Sequence, residues 1–365
     1  MVKKILQVVP NMQQGGIENY IMNLYRNIDR DLVQFDFLTH YSGEYFFDQE
    51  IYALGGHIYK IPLMENKANM FKYVRSLSAL LSHHKFDVIH GHMATTAYIY
   101  MKIAKSHGIN NRIIHAHEDS YIHNIRGYIR KYLIQNSYHD ATVRLACSNT
   151  AGNYYFGKHG FEIIHNAIDV NRFTYSDRSR KDVRKEFNID ETQMVLCHVG
   201  RFCLQKNHQK LINIFQSLKK INNKAVLFLI GKGETEADIR KMVHDLSLED
   251  SVYFLGNTAE PEKYYCASDL FILPSKFEGL PLTGIEAQTN GLPCVFSDAV
   301  TREVDISGCN EFVSLSAAPE LWADRIQHLY LNSPDDRMLW VQDVCEAGYD
   351  IAANAEHLQS LYLNM

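Results

Sequence analysis

The stretch 194–230, M-V-L-C-H-V-G-R-F-C-L-Q-K-N-H-Q-K-L-I-N-I-F-Q-S-L-K-K-I-N-N-K-A-V-L-F-L-I, decides the fold class. It opens with the apolar run Met194–Val199, turns at Gly200 and closes with a second apolar run, Ala225–Ile230. Short, nearly continuous apolar runs are typical of strands that are buried on both faces of a parallel sheet. Between the runs, apolar residues recur at the spacing of one helix face: Leu211, Ile214, Phe215 and Leu218.

The same alternation of strand and helix continues along the whole chain. In the first half the predicted strands are Lys4–Val9, Val33–Leu38, His57–Ile61, Asp87–His90, Arg112–Ala116, Val143–Cys147 and Glu162–His165. In the second half they are Met194–Val199, Ala225–Ile230, Val252–Leu255, Leu270–Leu273, Pro293–Phe296 and Phe312–Leu315. This pattern predicts an α/β protein with two Rossmann-like, doubly wound parallel-sheet domains that face a cleft.

Length and charge place the boundary between the two domains. The chain has 365 residues and a net charge of -5, and residues 1–165 hold 17 Lys+Arg against 13 Asp+Glu. The remaining residues hold 20 against 29, so a basic half precedes an acidic one. We expect one domain at 1–168 and the other at 169–349, joined by a linker at Asn166–Phe173 that the polar stretch Thr174–Asp182 follows. The basic half is the one expected to face an anionic partner.

Composition excludes several classes of protein. No apolar stretch approaches the ~20 residues of a membrane-spanning helix, and the first apolar run, Ile5–Val9, is too short for a signal peptide. The seven cysteines are odd in number and include no C-x-x-C pair. We therefore expect a cytoplasmic protein with reduced cysteines, and leave open peripheral contact with the inner face of the membrane.

Two loops at predicted strand ends carry residues suited to a phosphate. Gly15 and Gly16 lie between the first strand and a helix, where glycines let a ligand approach the backbone. An ordinary turn is the alternative there. Arg201 and Lys206 flank the turn after Val199, where two cations could neutralise a diphosphate. Two solvated surface charges are the alternative.

The segment 275–293, S-K-F-E-G-L-P-L-T-G-I-E-A-Q-T-N-G-L-P, combines two glutamates with a helix start. The helix is predicted to begin near Leu282, after Pro281. Glu278 lies in the loop, where its carboxylate can accept hydrogen bonds from sugar hydroxyls. Glu286 lies about one turn inside the helix, where a carboxylate can hold a ribose. Backbone N–H groups at the helix start point at the phosphates between them.

With these two glutamates and the seven residues between them, the sequence resembles the retaining GT-B glycosyltransferases of family GT4. The resemblance covers nearly the whole chain. Within that family, the sequence is most similar to the bacterial capsule and exopolysaccharide transferases. Further matching motifs are G-G-I-E at Gly15–Glu18, H-A-H-E at His115–Glu118, C-S-N at Cys147–Asn149, I-I-H-N-A-I-D at Ile163–Asp169, V-G-R-F-C-L-Q-K-N-H at Val199–His208 and I-G-K-G-E at Ile230–Glu234.

The resemblance implies roles for individual residues. Arg201 and Lys206 would bind the donor diphosphate and stabilise the leaving group, and Glu278 would contact the transferred sugar. His117 matches the histidine that reaches the donor sugar from the first domain. The implied catalytic set is His117, Glu278, Arg201 and Lys206. The implied donor-binding set is Gly16, Arg201, Lys206, Glu278, Gly279, Leu280, Leu282, Thr283 and Glu286.

The acceptor is expected on the basic, first domain. His90 and His92 end one strand there, and they either line the acceptor side or pack in the interior. The segment 121–133 places apolar residues at helical spacing beside Arg126 and Arg130. It predicts either contact with an anionic membrane or lipid diphosphate, or an ordinary helix packed on its sheet. The expected acceptor is a glycan or a polyprenyl-diphosphate-linked oligosaccharide, and no nucleic acid is expected.

The resulting prediction is a retaining hexosyltransferase of bacterial surface polysaccharide synthesis, with a nucleotide-diphosphate sugar, preferably a UDP-sugar, as donor. The one D-x-D sequence, Asp29-Arg30-Asp31, lies between a helix and a strand, so we expect neither a metal nor a cofactor. By the same resemblance a last helix, about 350–365, packs back on the first domain. The alternatives are a GT-B sugar-nucleotide epimerase and a non-catalytic sugar-binding protein.

Overall fold

The computed structural model describes residues 2–13, 15–61, 67–117 and 138–365. The chain divides into two compact units: Met1–Ala167 with Asp350–Met365, and Ile168–Tyr349. The first stretch ends one residue before the position expected from the sequence, and the last stretch contains the C-terminal helix. Each unit is a parallel sheet covered by helices on both faces, which is the predicted α/β architecture.

The sheet of the first unit has seven parallel strands in the order β3-β2-β1-β4-β5-β6-β7. Apolar side chains cover both of its faces, because its strands read as nearly continuous apolar runs. The strands are β1 Lys3–Val8, β2 Val33–Thr39, β3 Ile58–Lys60, β4 Val88–Gly91, β5 Asn111–Ala116, β6 Val143–Ala146 and β7 Glu162–Ile163. The helices of this unit are Gly16–Asn27, Asp48–Ala53, Lys67–His83, Ala94–Ser106, Asn149–Phe156 and Ile351–Leu363, with a 3-10 turn at Tyr138–Asp140.

The sheet of the second unit has six parallel strands in the order β10-β9-β8-β11-β12-β13. The strands are β8 Val195–Val199, β9 Val226–Ile230, β10 Val252–Gly256, β11 Leu270–Leu273, β12 Cys294–Ser297 and β13 Glu311–Val313. The helices are Val170–Phe173, Asp177–Glu186, His208–Ile221, Glu236–Asp245, Pro261–Ala267, Leu282–Thr289, Pro319–Asn332 and Val341–Glu346, with a 3-10 turn at Arg302–Val304. Within the described ranges, no helix has both the length and the apolar character needed to cross a membrane.

The C-terminal helix Ile351–Leu363 completes the core of the first unit. It packs on Gly16–Asn27 and on β2, and buries four side chains in that core: Ile351, Ala355, Leu358 and Tyr362. Its end is fixed by the Lys3 ammonium group, which donates to the Met365 carbonyl oxygen at 2.7 Å. A residue close to the end of the chain, Tyr362, is therefore as deeply buried as the central strands.

The boundary between the two units, Ala167/Ile168, lies inside the predicted linker Asn166–Phe173. The second half of that linker is a short helix, and another helix begins in the polar stretch that follows. Asp169 caps Val170–Phe173, and Ser176 caps Asp177–Glu186, through side-chain oxygens that accept from backbone N–H groups. The second of these helices is polar in sequence, and yet it docks on the second unit. It docks because Arg180 and Arg184 both donate to the carboxylate of Asp269, at 2.9 and 2.8 Å.

This arginine–aspartate network predicts a strong stability effect. Arg184 is 1% exposed, so Asp269→Ala leaves a buried guanidinium without its carboxylate. We expect a loss of about 3–5 kcal/mol in the free energy of unfolding, measured by urea titration. The control is Asp182→Ala. It removes a carboxylate from the helix Asp177–Glu186, where Asp182 forms an exposed ion pair with Arg178. An equal loss in both variants would contradict this account.

Candidate functional site

The second unit has a topological switch point beside β8. The chain leaves β8 for β9 on one side, whereas β11 lies on the other side of β8. Loops that follow two such strands diverge, and ligands of doubly wound sheets bind in the crevice between them. Here the loops are 200–207 after β8 and 274–281 after β11, and they contain Arg201, Lys206 and Glu278.

An ion pair joins the two switch-point loops. The Lys206 Nζ atom lies 2.6 Å from Oε1 of Glu278, and the side chains are 17% and 9% exposed. Gln205 reinforces the junction, since its Nε2 donates to the Phe277 carbonyl oxygen at 3.0 Å and to Glu278 at 3.3 Å. The structure therefore brings together two residues that the sequence analysis assigned to diphosphate and to sugar.

Arg201 lies on the same loop but in solvent. Its guanidinium donates to the carboxylate of Glu234 at 3.1 Å, and the two side chains are 73% and 56% exposed. Water and salt screen an exposed pair of this kind, so the pair contributes little to stability. Arg201 can therefore exchange Glu234 for another anion at little cost.

A glycine after β9 allows the loops to approach each other. Gly231 has a φ of +137°, and a Cβ there would overlap the Gly200 carbonyl oxygen. The approach lets the Phe202 N–H donate to the Lys232 carbonyl oxygen at 3.1 Å. The I-G-K-G-E segment, 230–234, therefore supports the loop that contains Arg201 and Lys206.

Glu286 lies within the helix Leu282–Thr289, beside the buried side chain of Tyr265. The hydroxyl of Tyr265 donates to its carboxylate at 2.9 Å. Burial raises the pKa of Glu286 to about 7, against the opposing effects of that hydrogen bond and of Arg172. A carboxyl group with a pKa near neutrality can exist in either protonation state, which makes Glu286 a candidate for a functional role.

Four further residues of the predicted donor set lie at the start of this helix or just before it: Gly279, Leu280, Leu282 and Thr283. Leu280 and Leu282 pack against the core, so their side chains anchor the turn. Gly279 precedes them, and the backbone of Glu278 forms an isolated parallel β-bridge with that of Val300. The Thr283 hydroxyl oxygen is buried without a hydrogen-bond partner among the described residues.

The first unit has its own switch point, between β1 and β4. Gly16 begins the helix that follows β1, and no described atom lies within 4 Å of the place where its Cβ would be. Packing within the described residues therefore does not require glycine at this position. Open space at a helix start is compatible with the predicted approach of a ligand.

Four histidines cluster at the carboxyl ends of β4 and β5. The imidazole rings of His90 and His92 lie 4.4 Å apart, those of His115 and His117 4.1 Å apart, and those of His92 and His117 5.0 Å apart. Burial and, except at His117, mutual repulsion lower the pKa of all four, to about 3 for His90 and about 4 for His117. The cluster is therefore neutral in the physiological range.

Both ring nitrogens of His117 have partners within its own unit. Nδ1 lies 3.0 Å from Oδ1 of Asn166, and Nε2 lies 2.8 Å from Nδ1 of His92. A ligand that hydrogen-bonds His117 must therefore replace one of these partners, and Asn166 is the more exposed of the two. His117 itself is half-buried at the end of β5.

The structure removes His90 from the residues predicted to line the acceptor side. His90 is fully buried and bonded to the Tyr362 hydroxyl at 2.6 Å, so its side chain packs in the interior and cannot line an acceptor surface. His92 is 6% exposed and is held by Gln7 and His117. Arg126 and Arg130, with the whole segment 121–133, lie outside the described residues.

Three of these histidines offer ligand atoms within 4.8 Å of one another: His90, His92 and His115. A shared metal needs imidazole lone pairs that converge on one point, but the rings of His90 and His115 stack at 9°. A metal would also have to displace one of the two hydrogen bonds of His92. The geometry favours a hydrogen-bonded cluster over a metal centre.

The sequence does not show which residues hold the candidate side chains in place. Tyr265, Gln205 and Asn166 contact Glu286, Glu278 and His117 respectively. Each lies between 21 and 73 residues along the chain from its partner, so no spacing identifies the contact. The histidines did leave a signal, because H-x-H occurs at the ends of two neighbouring strands and places both side chains of each pair on one face.

Two parallel, doubly wound units with candidate sites at their switch points define the class of GT-B glycosyltransferases. The sequence model described as Glycosyltransferase Family 4 matches residues 14–172, and the one described as Glycosyl transferases group 1 matches residues 179–342. A protein of Bacillus subtilis (strain 168) with the name "Putative glycosyltransferase EpsF" is 30% identical over 374 aligned positions, covering 99% of this chain and 96% of the relative. The chain belongs to glycosyltransferase family 4.

Two further comparisons add a relative and a solved structure. The UDP-Gal:alpha-D-GlcNAc-diphosphoundecaprenol alpha-1,3-galactosyltransferase of Escherichia coli is 23% identical over 84% of this chain and 83% of its own. The crystal structure of Anabaena Alr3699/HepE in complex with UDP superposes with a TM-score of 0.81 at 16% identity, over the full length of both chains. That structure shows the shared fold, and the named relatives favour transfer over the epimerase alternative.

The raised pKa of Glu286 predicts a pH-dependent stability. The folded protein keeps a proton at Glu286 that the unfolded chain releases above its ordinary pKa of 4.5, so the native state loses stability as the pH rises from about 4.5 to 7. Glu286→Gln lacks this loss and keeps an acceptor for Tyr265. Relative to wild type, the variant should gain on the order of 2–3 kcal/mol between pH 5 and pH 8 in urea unfolding. A pH-independent difference would refute the assignment.

Proposed function

We propose that this enzyme transfers a hexosyl group from a UDP-sugar to a glycan or lipid-linked oligosaccharide of a bacterial surface polysaccharide. It does so with retention of configuration and without a metal or cofactor. The observation that carries the proposal is the Lys206–Glu278 ion pair at the switch point of the second unit, beside the exposed Arg201. HepE, which shares the fold, was solved with UDP, and the Escherichia coli relative is named for a UDP-sugar donor.

In this proposal the donor occupies the crevice between the switch-point loops. An ammonium group has three N–H donors, so Lys206 keeps Glu278 while it donates to a diphosphate oxygen. Arg201 exchanges Glu234 for the same diphosphate. The Glu278 carboxylate, oriented by Lys206 and Gln205, accepts hydrogen bonds from hydroxyls of the transferred sugar.

The helix Leu282–Thr289 provides the rest of the donor contacts. Its first N–H groups lack acceptors within the helix, and they carry the positive end of the helix dipole, which suits a phosphate. Glu286, further along the helix, accepts from the ribose hydroxyls when it is ionised. Since the reaction expels a diphosphate, cations and N–H groups that bind the leaving group more tightly as its charge grows accelerate the step.

His117 of the first unit is the proposed contact to the sugar on that side, and Gly16 leaves room for the phosphates. Retention follows from family resemblance, with front-face attack in which the leaving phosphate assists deprotonation of the acceptor hydroxyl. The acceptor belongs to the first unit, and the lipid diphosphate in the name of the Escherichia coli relative supports a lipid-linked oligosaccharide. We propose that the enzyme acts on the cytoplasmic side of the membrane and contacts the membrane peripherally.

Nucleotide binding tests the donor site. UDP should raise the melting temperature of the wild-type protein, and GDP and ADP should not. Lys206→Met removes charge-assisted hydrogen bonds worth about 1.5–3 kcal/mol, so calorimetry should show UDP binding weakened by about ten- to a hundredfold. Lys241→Met, which removes an exposed lysine from the helix Glu236–Asp245, should bind UDP as wild type does. Equal affinity in both variants would place the diphosphate elsewhere.

The product tests the reaction. Proton NMR of the product from a UDP-α-sugar should show the α-anomer, and EDTA should leave the rate unchanged. A β-linked product contradicts retention, and loss of activity in EDTA that Mg²⁺ or Mn²⁺ restores contradicts metal independence. An epimerised donor in the absence of any acceptor would contradict glycosyl transfer itself.

A further inference from the structure

A solvent-exposed aromatic ring lies at the ligand-binding edge of the first sheet. Phe46 is 58% exposed, and it belongs to the loop 40–47 that follows β2. Because β2 pairs with β1 in parallel, this loop leaves the sheet beside the loop 9–13, which precedes Gly16. Both loops lie at the carboxyl end of the sheet, where doubly wound folds bind their ligands.

Hydrogen bonds fix Phe46 to that neighbouring loop. Its backbone N–H donates to Oε1 of Gln13 at 3.2 Å, and the next residue, Phe47, donates from its N–H to the Met12 carbonyl oxygen at 3.0 Å. The ring of Phe46 packs edge-on against that of Phe47, with centroids 4.9 Å apart, and Phe47 is itself buried. The exposed ring therefore rests on the core and lies in a fixed place before any ligand binds.

The charged side chains around this loop have a negative balance. Lys60 pairs with Asp48 at 3.0 Å, and Arg26 pairs with Glu50 at 2.6 Å. Glu44 lies on the same loop and is exposed. Among these five side chains, three carboxylates face two cations, and both cations are engaged by carboxylates. An anionic membrane would find little attraction here, so the exposed ring suits a neutral, polar ligand.

We propose that Phe46 is the platform for a sugar ring of the acceptor glycan. The inference rests on the proposed function, which places a glycan acceptor on the first unit. A pyranose has a face of C–H bonds, which packs against the negative face of an aromatic ring, and a rim of hydroxyl groups. The Glu44 carboxylate can accept from those hydroxyls. The Gln13 carboxamide can donate to them through its N–H groups, since its oxygen faces the Phe46 N–H.

The position of the loop indicates which sugar of the acceptor it binds. Neighbouring strands of a sheet lie about 4.8 Å apart, which is close to the length of one pyranose ring. A sugar on Phe46 is therefore about one unit away from the loop 9–13, which leads towards Gly16 and the proposed place of the donor phosphates. The sugar on Phe46 is then a neighbour of the sugar that reacts, so this surface favours acceptors of at least two sugars.

Saturation-transfer difference NMR tests the platform in the intact protein. The probes are lactose, maltose, cellobiose and diacetylchitobiose at millimolar concentration, with sorbitol as an acyclic polyol that has no ring face. At least one disaccharide should receive saturation, most strongly at the C–H protons of one ring face, and sorbitol should not. The signal should persist in excess UDP, because the donor and the acceptor sugar occupy different places.

Substitutions of two exposed rings provide the test and its control. Phe46→Ala removes the platform and should weaken binding of the disaccharide by about threefold or more, whereas Phe46→Trp keeps an aromatic face and should retain binding. Tyr52→Ala is the matched control, since Tyr52 is 48% exposed on the next helix, Asp48–Ala53, and it should bind as wild type does. Both side chains are exposed, so the variants should keep the melting temperature of the wild type.

No saturation transfer to any of the disaccharides, or an equal loss in Tyr52→Ala, would overturn the inference. So would a signal that UDP abolishes, because the sugar would then occupy the place of the donor. Co-sedimentation with phosphatidylglycerol vesicles that Phe46→Ala abolishes, without any sugar signal, would identify a membrane contact instead. The experiment needs no transfer, so sugar binding at Phe46 in a protein that transfers nothing from UDP-sugars would support this surface and overturn the proposed function.

Discussion

The Lys206–Glu278 ion pair is the contact on which the candidate donor site depends. It spans the switch point of the second sheet and fixes two loops that diverge from neighbouring strands. Either charge alone, at 17% or 9% exposure, would be desolvated without compensation. Together they place an ammonium group and a carboxylate 2.6 Å apart, one suited to a diphosphate and the other to sugar hydroxyls. The glycine contacts after β9 and the leucine anchors after β11 hold this pair in position.

Local charge, and not the charge of a whole half, determines what each unit can bind. The acidic half contains the cations proposed for the donor diphosphate, while its excess carboxylates lie elsewhere or pair with arginines, as Asp269 does. The basic half holds its histidine cluster neutral, because burial lowers the pKa of all four imidazoles and repulsion from neighbouring histidines adds to this effect at His90, His92 and His115. A neutral histidine can offer a lone pair to a hydroxyl, which a protonated one cannot.

Much of the fold could be predicted from the sequence. All thirteen predicted strands are present within about two residues of their expected limits. They could be predicted because strands buried on both faces of a parallel sheet have nearly continuous apolar sequences. The helix that begins at Leu282 was predicted for a similar reason, since proline and glycine mark its ends. The helix Asp177–Glu186 was not predicted, because it docks through Arg180 and Arg184 and has almost no apolar residues that would mark a buried face.

The candidate site was only half visible in the sequence. The chemical groups could be recognised one by one, but their partners depend on tertiary contacts: Lys206 and Glu278 are 72 residues apart, and His90 and Tyr362 are 272 apart. The spacing of residues along the chain does not predict such pairs. The exposed face of a strand also cannot be told from its buried face when both are apolar. The sequence therefore left both alternatives for His90, the acceptor side and the interior, and the structure shows that it is fully buried.

A double-mutant cycle on kcat/KM for the UDP-sugar tests the central claim most directly. Lys206→Met and Glu278→Gln each break the ion pair and leave the other residue unpaired between the switch-point loops. If the pair acts as one unit, the double variant should be no slower than the worse single variant, with a coupling energy of at least about 1 kcal/mol. Losses that simply add would show that the two residues act independently, and would contradict the account.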